Sequence, residues 1–109
     1  NYIAMLFASV DGISKVGYYS GSSSAQTITT GFQPRFLIIR KADALSSWWV
    51  LDTTRGWSSG DDHYLGLNFN SADNDNFDFA EPISTGFTVS ADNYETNKNG
   101  TNLIYYAHA

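Results

Sequence analysis

The sequence predicts an all-β protein, an antiparallel, jelly-roll-like β-sandwich of about nine short strands. Two observations carry that expectation. Short apolar or alternating runs rich in Val, Ile, Phe, Tyr, Trp and Thr recur along all 109 residues. Between them lie "SVDG", "SGSSSA", "RGWSSGDD", "NSADNDN" and "TNKNGTN", clusters whose residues tolerate positive φ or bond their own backbone. A turn every ~8–12 residues fits strands and leaves little room for helices.

Taken in order, the first expected strand is the apolar run Tyr2–Ala8. Lys15–Tyr19 and Gln26–Thr30 follow, separated by "SGSSSA". Arg35–Lys41 is next, and Pro34 stands at its entrance, where a missing N–H costs least. Ala42–Ser47 reads as a loop and leads to Trp48–Thr53. Tyr64–Phe69, Phe77–Phe79 and Gly86–Ser90 are divided by "NSADNDN" and by Pro82. Asn99-Gly100 suits a type I′ turn, expected to join a strand near Thr88–Asn93 to the last strand, Leu103–His108. Two internal echoes occur, "ITTGFQ" with "ISTGFT" and "NYIAMLFA" with "NLIYYAHA", and the second suggests similar environments for the first and last strands.

Length and composition bound the rest. Residues 1–109 suffice for one domain with one core, and seven Tyr, seven Phe and three Trp supply the apolar area. No cysteine is present, which removes thiolate catalysis, thiolate metal sites and disulfides. The net charge of −5 shows no basic stripe, so nucleic acid is not an expected partner. No apolar stretch reaches the ~20 residues that span a bilayer, so membrane insertion is not expected either. The chain begins with Asn, and we expect it to be a segment of a longer protein.

Several patterns invite a chemical reading. Gly56-Trp57-Ser58-Ser59-Gly60 fits G-x-S-x-G, but that motif needs a strand turning directly into a helix, and here a second strand follows. A Gly/Ser loop is expected instead. His63 stands beside Asp61 and Asp62, too few ligand types for a metal signature. "SADNDNFDF" has the composition of a calcium loop but puts Asp78 and Ser84 where an EF-hand needs Gly and Glu. An irregular calcium site near Asp73–Asp78 is left open, with an Asx-rich turn as the default. No catalytic residue, metal or cofactor is expected.

The tryptophans carry more information. Adjacent strand residues point to opposite faces, so Trp48 and Trp49 cannot share one core. A strand apolar on both faces needs a second covering layer from another subunit or domain, which makes Trp48 and Trp49 candidate inter-subunit contacts. "RFLIIRK" has the same double apolarity. Trp57 either stacks on a sugar or anchors a partner from a polar loop, or packs that loop back onto the core. Asp52 and Arg55 are expected to pair and orient its loop.

The order of segments resembles a domain of tailed-bacteriophage virion proteins, especially marine and cyanophage-like ones. "GYYSG" leading to "TGFQP" and "RFLIIRK", then "WWVLDTTR" with W-x-x-x-D-x-x-R at Trp48, Asp52 and Arg55, carry the likeness. "YLGLNFNSAD", "FDFAEPISTGFTVS" and the closing "NLIYYAHA" continue it. His108 departs from the pattern, where Phe is usual.

The resemblance implies an external virion location, a β-sandwich without catalytic residues, and other virion subunits as partners, in a homo-oligomer such as a trimer. The expected role is a tail-fibre or receptor-binding domain touching host glycans through Trp57, Asp61, Asp62, His63, Asn74, Asp75, Asn97 and Asn99. The alternatives are a capsid or tail decoration or connector protein acting by protein–protein contact, and a carbohydrate-binding module of an enzyme.

Overall fold

Leu37 and Ile39 point to one side of their strand and are fully buried, while Phe36 and Ile38 point to the other and are shielded mainly by neighbouring side chains of the same sheet. That strand, β3 (Phe36–Lys41), lies inside the larger of two sheets in the computed structural model, which describes residues 1–109. The other strands are β1 (Ser14–Ser20), β2 (Gln26–Thr29), β4 (Trp49–Asp52), β5 (Asp62–Gly66), β6 (Asn74–Phe77), β7 (Glu81–Ile83), β8 (Gly86–Val89) and β9 (Asn102–His108). One turn of 3-10 helix at Thr53–Arg55 interrupts them. The protein is an antiparallel β-sandwich of nine strands, as the sequence predicts.

The strands divide six and three, in the orders β1-β9-β3-β4-β5-β6 and β2-β8-β7. From β3 to β6 the chain runs as a meander of neighbours. The last strand, β9, inserts between β1 and β3, pairing Ser14 with His108 on one side and Phe36 with His108 on the other. Alternation along β9 sends Leu103, Tyr105 and Ala107 inward, and Ile104 and Tyr106 outward. Facing residues from β8 (Phe87 and Val89) and β2 (Ile28) close the core between the sheets, with Leu51, Phe79 and Trp57.

Several expectations need correction. The strand expected at Phe77–Phe79 lies instead at Asn74–Phe77, inside the stretch read as an Asx-rich turn, because Asp62 and Tyr64 of β5 offer it a partner. Tyr2–Ala8 is not a strand: residues 1–9 are exposed and pair with no sheet, because alternating apolarity without a partner strand satisfies no backbone groups. The first and last segments therefore do not share an environment. Asn99-Gly100 forms a turn with Gly100 at φ 83, but β8 and β9 belong to different sheets, so no hairpin joins them. Glu81–Ile83 is a strand despite Pro82, which is tolerated because β7 is a sheet edge. The "ITTGF" and "ISTGF" segments lie side by side, Ile28 opposite Phe87 and Thr29 opposite Gly86.

Candidate functional site

The loop from Gly56 to Asp61 is built by its glycines. Gly56 (φ 113) and Gly60 (φ 90) hold the left-handed backbone that other residues resist, so the G-x-S-x-G letters spell two tight bends and not a nucleophile corner. Ser58 is exposed and its N–H donates to Asp62 Oδ1 at 3.2 Å. No helix follows; β5 begins at Asp62.

Trp57, a candidate surface contact, is interior: only 2% of it is exposed. Its Nε1–H donates to the Ala80 carbonyl at 2.6 Å, and its ring joins the core. The indole packs its own loop down onto the sandwich, the second of the two sequence readings.

Asp62 is also misplaced by the sequence reading, because it is fully buried. One carboxylate oxygen accepts the N–H groups of Phe79 at 2.8 Å and Ala80 at 3.4 Å, and the other accepts Ser58. Burial pushes this carboxyl up to about 6, with a smaller push from Asp78, while the backbone donors hold it down.

Asn97, also expected at the surface, is buried with its amide fully used. Its Oδ1 accepts from Ser22 N at 2.9 Å and Gln26 Nε2 at 2.6 Å; its Nδ2 donates to the carbonyls of Ser24 and Ser90. Two donors and two acceptors are all an asparagine side chain offers. Beside it, the hydroxyl of the half-buried Tyr19 donates to the Thr96 carbonyl, and desolvation pushes that phenol above its ordinary range.

Asp52 and Arg55 do not pair. Asp52 caps the 3-10 turn by accepting the Thr54 N–H at 2.8 Å and binds Arg35 Nη2 at 3.0 Å. Its carbonyl accepts the Trp57 N–H at 3.0 Å, so Asp52 does orient that loop, through the backbone. Arg55 reaches Asp73 at 2.6 Å instead, with His63 Nδ1 at 3.7 Å from the same carboxylate.

Asp61, His63, Asn74, Asp75 and Asn99 are exposed as expected, but His63 lies in β5 and Asn74 and Asp75 in the edge strand β6, not in loops. The acidic residues of Asp73–Asp78 do not converge, and no group of three or more His, Asp or Glu side chains is placed to hold a metal ion.

The two adjacent tryptophans separate as alternation requires. Trp49 faces the core of its own domain, 5.0 Å from the Phe79 ring and 5.5 Å from Tyr64, with Nε1–H donating to Glu95 at 2.9 Å. Trp48 lies on the opposite, outer face, with the Arg40 guanidinium 4.9 Å above its ring.

That outer face is what residue-by-residue reading of loops missed. Val16 and Tyr18 of β1, Ile104 and Tyr106 of β9, and Ile38 of β3 line one apolar groove with Trp48 and Leu67. Its volume is about 710 Å³, and Met5 and Phe7 of the N-terminal segment border it. Tyr18 is 82% exposed and Leu67 53%, so the face is open to water. At one end His108 stacks on Phe36, ring centroids 4.7 Å apart and nearly parallel. The signal was present in "RFLIIRK" and "SWWVL", whose double apolarity asks for two covering layers.

With this geometry in hand, the chain can be compared with known proteins. It belongs to the DUF7483 family, a domain of unknown function, matched over residues 1–109. No curated protein matches it. No solved structure matches it either.

Proposed function

We propose that the chain is a non-enzymatic structural module of a tailed-phage particle, part of a tail fibre or another external virion protein, acting through contact with neighbouring protein. The observation that carries the protein-contact role is the open apolar face of the six-stranded sheet. Contiguous exposed apolar surface of this kind marks interaction sites. The phage assignment draws on the ordered segments quoted above, from "GYYSG" to "NLIYYAHA".

The non-catalytic reading is supported by what the chemically suggestive side chains do. Asp62 and Asn97 spend their polar atoms on backbone groups, and Asp52 caps a turn and binds Arg35. Of the two virion roles, connector is favoured over glycan receptor, because the indole best suited to stacking on a sugar, Trp57, is interior.

Immunogold electron microscopy with antibody raised against this domain tests the reading. Gold is expected on the tail or outer surface of intact particles from the encoding phage. Particles free of label, with the antigen confined to the soluble fraction of infected cells, would overturn it. Binding of the purified domain to host glycans at micromolar Kd would restore the receptor role over the connector.

A further inference from the structure

The outer face of the large sheet lacks a covering layer, and the N-terminal segment points to its identity. Residues 1–7 belong to no strand and make no hydrogen bond within the chain. Phe7 packs on Tyr106 with ring centroids 4.4 Å apart, and Met5 borders the groove. Tyr2, Ile3 and Leu6, however, are 103%, 97% and 94% exposed. The arm thus touches its own face with part of its side chains and offers the rest to water.

We propose that the covering layer is a second copy of this chain, packed face to face about a two-fold axis, with the arm of each copy closing over the groove of the other. This inference rests on the protein-contact reading above and names its partner.

Three observations favour a second copy. An isologous contact uses one patch twice, and this patch holds both complementary parts, an apolar groove and an unpartnered apolar arm. The chain carries a net charge of −5, yet no acidic residue lines the groove, so two copies can meet here without apposing their carboxylates. Size also fits. Strands spaced ~4.8 Å apart and about 20 Å long give the lined part of the face, β1, β9, β3 and the flank of β4, on the order of 400 Å² in projection. The arm adds the remainder of the ~800 Å² per partner that a stable interface needs.

Sedimentation velocity on the full chain over roughly micromolar to 100 μM concentration, the range where interfaces of this size associate, tests the proposal. A dimer is expected, and Tyr18→Glu and Leu6→Glu should each weaken it at least ~10-fold, about 1.4 kcal/mol. Thermal melts should show both variants folded. A second measurement exploits the absence of cysteine. Leu6→Cys and Tyr18→Cys variants, mixed and oxidised, should give a mixed disulfide between two chains.

A chain monomeric throughout that range overturns the proposal, including the case where the groove takes a hydrophobic dye while the chain stays monomeric. A dimer indifferent to both glutamates and forming no mixed disulfide overturns it as well. Neither failure alters the labelling of virions, so a failure of the dimer is distinguishable from a failure of the virion reading.

Discussion

Asp62 accepts the backbone N–H of Phe79 at 2.8 Å, a bond that ties the start of β5 to the segment approaching the small sheet. The carboxylate is wholly buried, and its neighbours across the contact are backbone donors with no cation among them. Charge is therefore held there by N–H dipoles against the cost of desolvation.

A pH dependence follows. The folded pKa of about 6 lies above the ordinary carboxylate value of 3.8, so the folded state binds a proton that the unfolded chain has released between those values. The stabilisation from protonation is complete below about pH 4 and is lost as pH rises through 6. At ~1.4 kcal/mol per pKa unit, the stability difference between wild type and Asp62→Asn should shift against wild type by about 2 kcal/mol from pH 4 to pH 7.5. Urea denaturation at the two pH values measures it. A pH-independent difference would mean that the carboxyl titrates normally.

Trp57→Ala should cost about 3–5 kcal/mol, the range for a buried aromatic truncated to a cavity. Trp57→Phe should cost less, since it chiefly leaves the Ala80 carbonyl unpaired, about 1–3 kcal/mol. Chemical denaturation of both variants checks the order. A loss under about 1 kcal/mol for the alanine would return the indole to the surface.

For Asn97→Ala we expect a loss of about 2–4 kcal/mol, because four partly buried bonds lose their partner together. Asn99→Ala should stay within ~0.5 kcal/mol, as that residue is exposed and bonds Asp92 only through its backbone N–H. Equal effects would count against the buried network.

Gly56→Ala meets two obstacles: a φ of 113 and a Cβ placed 2.5 Å from the His63 ring. Backbone strain alone is of order 1–3 kcal/mol. Adding His63→Ala should recover the steric part and leave the strain. A double-mutant cycle on melting temperature separates the two, and full recovery would mean that the backbone relaxes.

At the W-x-x-x-D-x-x-R corner, Asp52→Ala should cost about 1–2 kcal/mol through the lost cap. Arg55→Ala should cost under ~1 kcal/mol, since its bond to Asp73 is largely solvated. The reverse order in denaturation would restore Arg55 as the residue that holds the loop.

Most of the fold was legible because strands announce themselves locally. Leu103, Tyr105 and Ala107 alternate with polar or outward residues, and Gly/Asn/Asp clusters mark where each run ends. β7 was hidden by its length of three residues and by Pro82. The arm was over-read because apolar letters say nothing of a missing partner. Among candidate site residues, the errors share one cause. Asp62, Trp57 and Asn97 stand in polar stretches, and their burial comes from groups distant in sequence. Asn97 meets Ser22 across 75 positions, a contact no window of sequence contains. Trp48 and Trp49 were sorted to opposite faces by strand geometry, but not which face was interior.

Pro82 has a consequence beyond its own strand. An edge without its central N–H cannot template another chain, so lateral growth of the small sheet stops at β7. The large sheet is guarded at β6 by an irregular register and by exposed Asn74, Asp75 and Asn76, and at β1 by Ser9, whose hydroxyl takes the Val16 N–H. These guards oppose ribbon-like polymerisation there. On the face-to-face pairing proposed above, association across the sheet plane ends after one partner, which gives a discrete pair and not a ribbon.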